Sequence, residues 1–435
     1  MKSVPRLIAA SEGDVDGWIG EVMMNRAKER ILGPLRRKPG LPFAARRSDR
    51  HNLPLSTRPA SDMSRKPTSK STGQVVVLDY DSKMLAGNAL GDPHLRKVAV
   101  WLPPGYDQGV TRGRSAGRGR RFPVLFDLVG FTGSGLAHLN WRPFDENVPE
   151  RIARLIAQRR MGPTIVVFPD CFTSLGGNQY VNSSAIGRYA DYLTRELIPF
   201  VDGQFRTLAS REHRGCFGKS SGGYGAIIHA MRHAEHWGAV ADHSGDALFD
   251  FCYFTDWPRT LNELDRYRRR RRMPGRVDVL RDERETASGV DDGRVKRFLE
   301  HIWQKDKLAD GEVHALMNLA MAATYDPDPR TPLGFRLPFN LETGELIPAR
   351  WRRWQRNDPV NLVASCKRNL KSMRGIYVDC GWRDQYHLHY GARVLSKRLT
   401  QHGIAHVYEE FDDNHSSIDY RMDVSLPYLY RALKP

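Results

Sequence analysis

From residue 74 onward the chain repeats one arrangement: a short run rich in β-branched and aromatic residues, then a longer stretch with helical spacing. QVVVLDY, KVAVWLP, FPVLFDLV, PTIVVFPD, HRGCFG, WGAVADHS, RGIYVDC and AHVYEEF are the strand candidates. RIARLIAQRR, RYADYLTRELIPFVDGQF, GAIIHAMRHAEHW, HYGARVLSKRLTQHG and LPYLYRALKP are the helices that separate and follow them. Strands this continuously apolar are buried on both faces, which requires a parallel sheet covered by helices on both sides. The chain is therefore expected to form one doubly wound, mostly parallel α/β sheet of about eight strands over residues 73–435. The alternation breaks once, after the sixth strand. Residues 251–365 are rich in arginine and aromatic residues and carry helical patterns of their own, VKRFLEHIW and VHALMNLAMAA. They read as a helical insertion, a candidate lid. Its Tyr253, Trp257, Trp351 and Trp354 allow two readings, a pocket wall or an accessory core.

A net charge of +17 raises the question of a polyanionic partner. The charge sits in three places: a leader, residues 1–72, with a net +8, and the runs TRGRSAGRGRR and RYRRRRRMPGR, with five and seven arginines. The rest of the chain is close to neutral. No aromatic stacking platform or nucleic-acid motif accompanies the arginines, so nucleic acid is not the expected partner. The leader is expected to be largely disordered, with one short amphipathic helix through Trp18, Ile19, Val22, Met23, Ala27 and Ile31 that ends at Gly33-Pro34. That helix would dock on the body or attach weakly to a membrane. No apolar run reaches the roughly 18 residues of a membrane span, and no secretory signal is evident. The five cysteines are odd in number and scattered, without a CxxC pair, which argues against a disulfide framework or zinc site and for a reducing, cytoplasmic setting.

GCFGKSSGGYGA, residues 215–226, falls between a strand candidate and a helix candidate. A strand that turns sharply into a helix strains the residue at the tip and requires small neighbours. Gly218-Lys219-Ser220-Ser221-Gly222 meets this as GxSxG, with Ser220 at the tip between Gly218 and Gly222. Ser221 would then offer its backbone N–H to an oxyanion, its side chain having no task. A phosphate-binding P-loop needs GxxxxGK[ST], and that spacing is absent.

A serine hydroxyl needs a base, and the base needs a carboxylate to orient it. With such an elbow the chain order is serine, acid, histidine. Asp384, in the loop after RGIYVDC, is the preferred acid. Asp379, still in the strand, reads as holding the turn, and Asp246, after the sixth strand, is a more distant candidate. His415, in FDDNHSS after the last strand, is the base. His229, His233 and His236 lie on the helix after Ser220, His387 and His389 begin another, and no carboxylate or cysteine at matching spacing makes a metal site of them. The second oxyanion donor is expected from FDLVGFTGSG, where Gly130 permits a tight turn and Phe131 supplies the N–H.

Together WLPPGY, LVGFT, GKSSGGYGA, DCGWRDQY and DNHS, spread from residue 73 to the end, resemble the esterase D type of esterases within the α/β-hydrolase fold. That family includes S-formylglutathione hydrolases, carbohydrate and siderophore esterases and mycolyltransferases. The resemblance implies serine-dependent attack on a small-molecule carboxylic ester or thioester, with Ser220, His415 and Asp384 as the triad and no cofactor or metal. Two features depart from the pattern: Val129-Gly130 stands where many hydrolases have His-Gly, and the basic leader and long insertion are unlike compact members. An acyltransferase with the same triad and an inactive polyanion-binding relative are the rival readings. Oligomeric state is not addressed by the sequence.

Overall fold

The structure, a computed structural model, describes residues 72–106, 119–273, 276–279 and 288–435, with 270–273 and 276–279 described in their backbone alone. The leader's candidate helix and residues 111–118 of the first arginine run lie outside the described residues, as do Pro274 and Gly275 of the second.

All eight strand candidates form, and they form one sheet. They are β1 (Gln74–Asp81), β2 (Leu95–Leu102), β3 (Val124–Leu128), β4 (Ile165–Pro169), β5 (Arg214–Lys219), β6 (Ala239–His243), β7 (Gly375–Gly381) and β8 (Val407–Phe411). Their spatial order is β1-β2-β4-β3-β5-β6-β7-β8. β1 pairs antiparallel with β2, and β2 with β4; every later pairing is parallel. This is the mostly parallel sheet of the α/β-hydrolase fold.

Successive side chains of a strand point to opposite faces, and here both faces are core. Val124, Phe126 and Leu128 of β3 enter one apolar cluster with Ile227, Ile228 and Met231 of α2 (Ser221–Arg232). Leu125, between them, enters the other, with Ile152 and Leu155 of α1 (Val148–Ala157) and Leu426, Leu429 and Leu433 of the C-terminal helix Met422–Leu433. Helices on both faces complete the layers.

The segment between β6 and β7 builds several helices, among them α3 (Asp310–Tyr325). Its Phe298, Leu319 and Trp354 belong to the same cluster as Val124 and Ile227 of the sheet and its helix. The four aromatic residues left open between two readings are core: Tyr253 and Trp354 meet edge to face with centroids 5.4 Å apart, Trp257 and Trp351 at 5.2 Å, and none is more than 7% exposed. They do not form a pocket wall, because each ring is covered by the next. Two further helices follow in the chain, α4 (Leu388–Gln401) and the C-terminal helix, α5 (Met422–Leu433).

Candidate active site

The parallel register brings Lys219, His243 and Asp379, and then Glu409 on β8, side by side near one edge of the sheet. Residues just beyond the carboxyl ends of β3, β5, β7 and β8 therefore lie along that edge, where open α/β sheets bind ligands. Phe131, Ser220, Asp384 and His415 are four such residues.

Ser220 sits between β5 and α2 with φ 58° and ψ −125°, a left-handed conformation that costs a non-glycine residue on the order of 1–3 kcal/mol. Its N–H donates to the His243 carbonyl at 2.9 Å, and its carbonyl accepts from the Tyr224 N–H at 2.9 Å, so the neighbouring strand and helix hold the strain in place. The flanking glycines are needed for close approach. A Cβ on Gly218 would lie 2.1 Å from the Leu128 carbonyl oxygen, and one on Gly222 would lie 1.8 Å from the same atom. Gly130 is less tightly constrained: its φ is not positive, and a Cβ there would lie 3.3 Å from the Lys219 carbonyl oxygen and 3.4 Å from the Ser220 Cβ, close contacts but not clashes. The turn that carries Phe131 is thus packed directly against the elbow.

His415 Nδ1 lies 2.8 Å from Asp384 Oδ2. Asp384 is 2% exposed, and its other oxygen accepts the Tyr386 N–H at 2.9 Å, which fixes the carboxylate. The backbone N–H of His415 donates to Gln385 Oε1 at 3.0 Å, which anchors its loop, and the Tyr386 ring packs against the imidazole edge-on at 4.9 Å. The other two acid candidates are engaged elsewhere. Asp379 binds His243 Nδ1 at 2.6 Å and Arg421 Nε at 2.9 Å. Asp246 accepts from Gln179 Nε2 and Tyr253 OH, each at 2.9 Å.

The family model described as "Putative esterase" matches residues 89–425, which contain this whole arrangement. The chain belongs to that Esterase family. Two curated relatives from Mycobacterium tuberculosis, Esterase MT1326 of strain CDC 1551 / Oshkosh and Esterase Rv1288 of strain ATCC 25618 / H37Rv, are each 33% identical to it over 147 residues. The matched stretch is 32% of this chain and 29% of each relative, so the chain spans less than a third of the length of the curated relatives it matches. Among solved structures, a ferulic acid esterase superposes with a TM-score of 0.50 at 18% identity, covering 83% of this chain and 98% of that one. What is shared there is the fold.

This Esterase-family chain also holds contacts that sequence reasoning missed. Ser221, whose side chain was given no task, accepts a hydrogen bond at Oγ from Gln179 Nε2 at 3.0 Å. Asp127, at the end of β3, meets His138 Nδ1 at 2.6 Å and so closes the base of the loop that carries Phe131. Arg142 pairs with Asp419, and burial pushes the amine of neighbouring Lys219 down, with Asp419 opposing. None of these pairs has a local motif that could have announced it. His229, by contrast, is the ordinary core histidine its helix position suggested: burial pushes it down to about 3, and its ring nitrogens face the Tyr180 carbonyl and the Trp237 N–H. Among the described residues no helix is long and apolar enough to cross a membrane, and no group of His, Cys, Asp or Glu is arranged to hold a metal ion.

Proposed function

We propose that the chain is a serine carboxylesterase that cleaves a carboxylic ester or thioester through an acyl-enzyme. Ser220 Oγ attacks the acyl carbon. His415 takes its proton at Nε2, the nitrogen left available by the hold of Asp384 on Nδ1, and returns it to the departing alcohol or thiol. Asp384 orients the ring and stabilises the imidazolium. The N–H groups of Phe131 and Ser221 receive the oxyanion, a task in which each donor contributes about 3–4 kcal/mol to the transition state. Water, activated by the same histidine, then releases the acid. The cycle calls for no cofactor.

The observation that carries this reading is the strained Ser220 at a strand-to-helix turn, on the same sheet edge as a His415–Asp384 pair at 2.8 Å. Strain is retained where surrounding structure over-determines it, and here it holds Ser220 out of line with both strand and helix, which suits a nucleophile. Membership of the Esterase family and the names of the mycobacterial relatives agree with ester hydrolysis. Five free thiols, four of them buried apart from one another, suit a cytoplasmic setting.

The test is a panel of p-nitrophenyl esters and thioesters of graded acyl length, run on the wild type and on Ser220→Ala. Turnover by the wild type with loss of at least about a thousandfold in the variant is expected. Equal turnover by both proteins would remove Ser220 from the reaction. Adding an alcohol acceptor and analysing products separates hydrolysis from acyl transfer.

A further inference from the structure

The loop at residues 176–180, Gly-Gly-Asn-Gln-Tyr, lies between β4 and α2 in the chain and touches both halves of the proposed oxyanion hole. On one side, the Gly177 N–H donates to the Phe131 carbonyl at 2.6 Å, and Tyr180 OH donates to the Val129 carbonyl at 2.6 Å. The fit is close: a Cβ on Gly177 would lie 2.5 Å from the Phe131 Cα, and one on Gly176 would enter the Phe131 ring at 2.6 Å. On the other side, Gln179 Nε2 donates to Ser221 Oγ at 3.0 Å. One five-residue loop thus grips the residue that carries each oxyanion donor.

Gln179 is itself held. It is 1% exposed, and its Nε2 also donates to Asp246 Oδ2 at 2.9 Å. The carboxylate accepts only, so it fixes which end of the amide faces it, and the amide nitrogen is thereby aimed between Asp246 and Ser221. Asp246 Oδ2 receives a second donor, Tyr253 OH at 2.9 Å, from the segment between β6 and β7, and Tyr253 OH stands 3.3 Å from Tyr325 OH on α3. A chain of buried polar contacts therefore runs from the insertion through Tyr253, Asp246 and Gln179 to Ser221. In a low-dielectric interior such a chain is directional and costly to break, which suits it to fixing a position rather than adding bulk stability.

We propose that Gln179 is a positioning residue of the oxyanion hole, setting the spacing between the Phe131 and Ser221 N–H donors, and that Asp246 and Tyr253 lock its amide. This rests on the reading of Ser220 as nucleophile with those two donors. Oxyanion donors act only where charge develops, so a change in their spacing lowers kcat and leaves ground-state binding alone. It also gives the insertion a task at the reaction centre that needs no motion.

The experiment compares Gln179→Ala, Gln179→Glu, Tyr253→Phe and wild type, all first shown to fold by near-ultraviolet circular dichroism. Each is assayed for kcat and KM on one p-nitrophenyl ester and for inhibition by a trifluoromethyl ketone, which forms a tetrahedral oxyanion on the nucleophile. The expected result is a fall in kcat of about tenfold to a hundredfold in Gln179→Ala, with KM little changed and ketone affinity falling in proportion to kcat/KM. Gln179→Glu faces Asp246 with a like charge and should fall at least as far, and Tyr253→Phe should fall less, in the same direction. Unchanged kcat in a folded Gln179→Ala, or a loss confined to KM, overturns the proposal. A misfolded Gln179→Ala leaves the decision to Tyr253→Phe, where a ketone affinity equal to that of wild type overturns it. Activity surviving in Ser220→Ala is a different failure, that of the underlying reading.

Discussion

Ser425 Oγ lies 2.8 Å from His243 Nε2, and His243 Nδ1 lies 2.6 Å from Asp379, so a second serine–histidine–aspartate set exists in this chain. Its distances satisfy a nucleophile, a base and an orienting acid as well as those of any triad. Burial tells it apart: the three residues are 0%, 2% and 0% exposed, and Ser425 stands within the regular helix α5. The set is a clasp joining β6, β7 and α5. Ser425→Ala should therefore leave kcat unchanged while costing about 1–3 kcal/mol of stability, because a buried histidine nitrogen loses its partner; chemical denaturation beside an ester assay checks both halves. The places of Ser220, Asp384 and His415 after their strands, and the pairing of the last two, were legible in the sequence because each belongs to a short motif tied to the end of a strand. Gln179, Ser425 and His243 were not, since each meets its partner across a long stretch of chain, 42 residues from Gln179 to Ser221 and 182 from His243 to Ser425. Local pattern holds no record of such pairs.

At the scale of elements, the loop between β3 and the turn at Gly135–Leu139 is fastened by Asp127 and His138. Burial alone would lower the His138 value; the charge of Asp127 and its hydrogen bond outweigh burial and raise it above the ordinary histidine range, with Asp419 adding and Arg142 opposing. A histidine whose folded value is raised contributes its full stability below the unfolded value, about 6.5, and loses it as pH rises through the folded one. Stability should accordingly decline on the alkaline side of neutrality, and His138→Gln should remove that part of the decline. Urea denaturation of both proteins at about pH 6, 8 and 9 measures it; parallel curves would mean that the pair does not titrate in this way. The existence of eight strands was readable, because doubly buried strands must be continuously apolar. Their lateral order was not, since the antiparallel β2 and the placement of β4 between β2 and β3 depend on pairings with no local signature.

For the whole molecule, the open point in the sequence was whether residues 251–365 stand apart from the sheet or merge with it. Composition could not decide, because aromatic residues suit a pocket wall and a core equally. The contacts decide: Trp354 is 0% exposed and touches the rings of Tyr253, Tyr325 and Trp351, in the same cluster that holds Phe126 and Ile227. A segment that shares its core with the sheet cannot open without exposing that core, so it should not melt by itself. Trp354→Ala should cost about 3–5 kcal/mol, the range for removing a large buried ring, and should shift the unfolding of the whole domain. In both proteins tryptophan fluorescence, which reports heavily on the insertion, and far-ultraviolet circular dichroism, which reports on sheet and helices together, should then give coincident transitions. If fluorescence changed well before the circular dichroism, the insertion would be a separately opening unit, and the polar chain from Tyr253 to Ser221 would be broken by every opening.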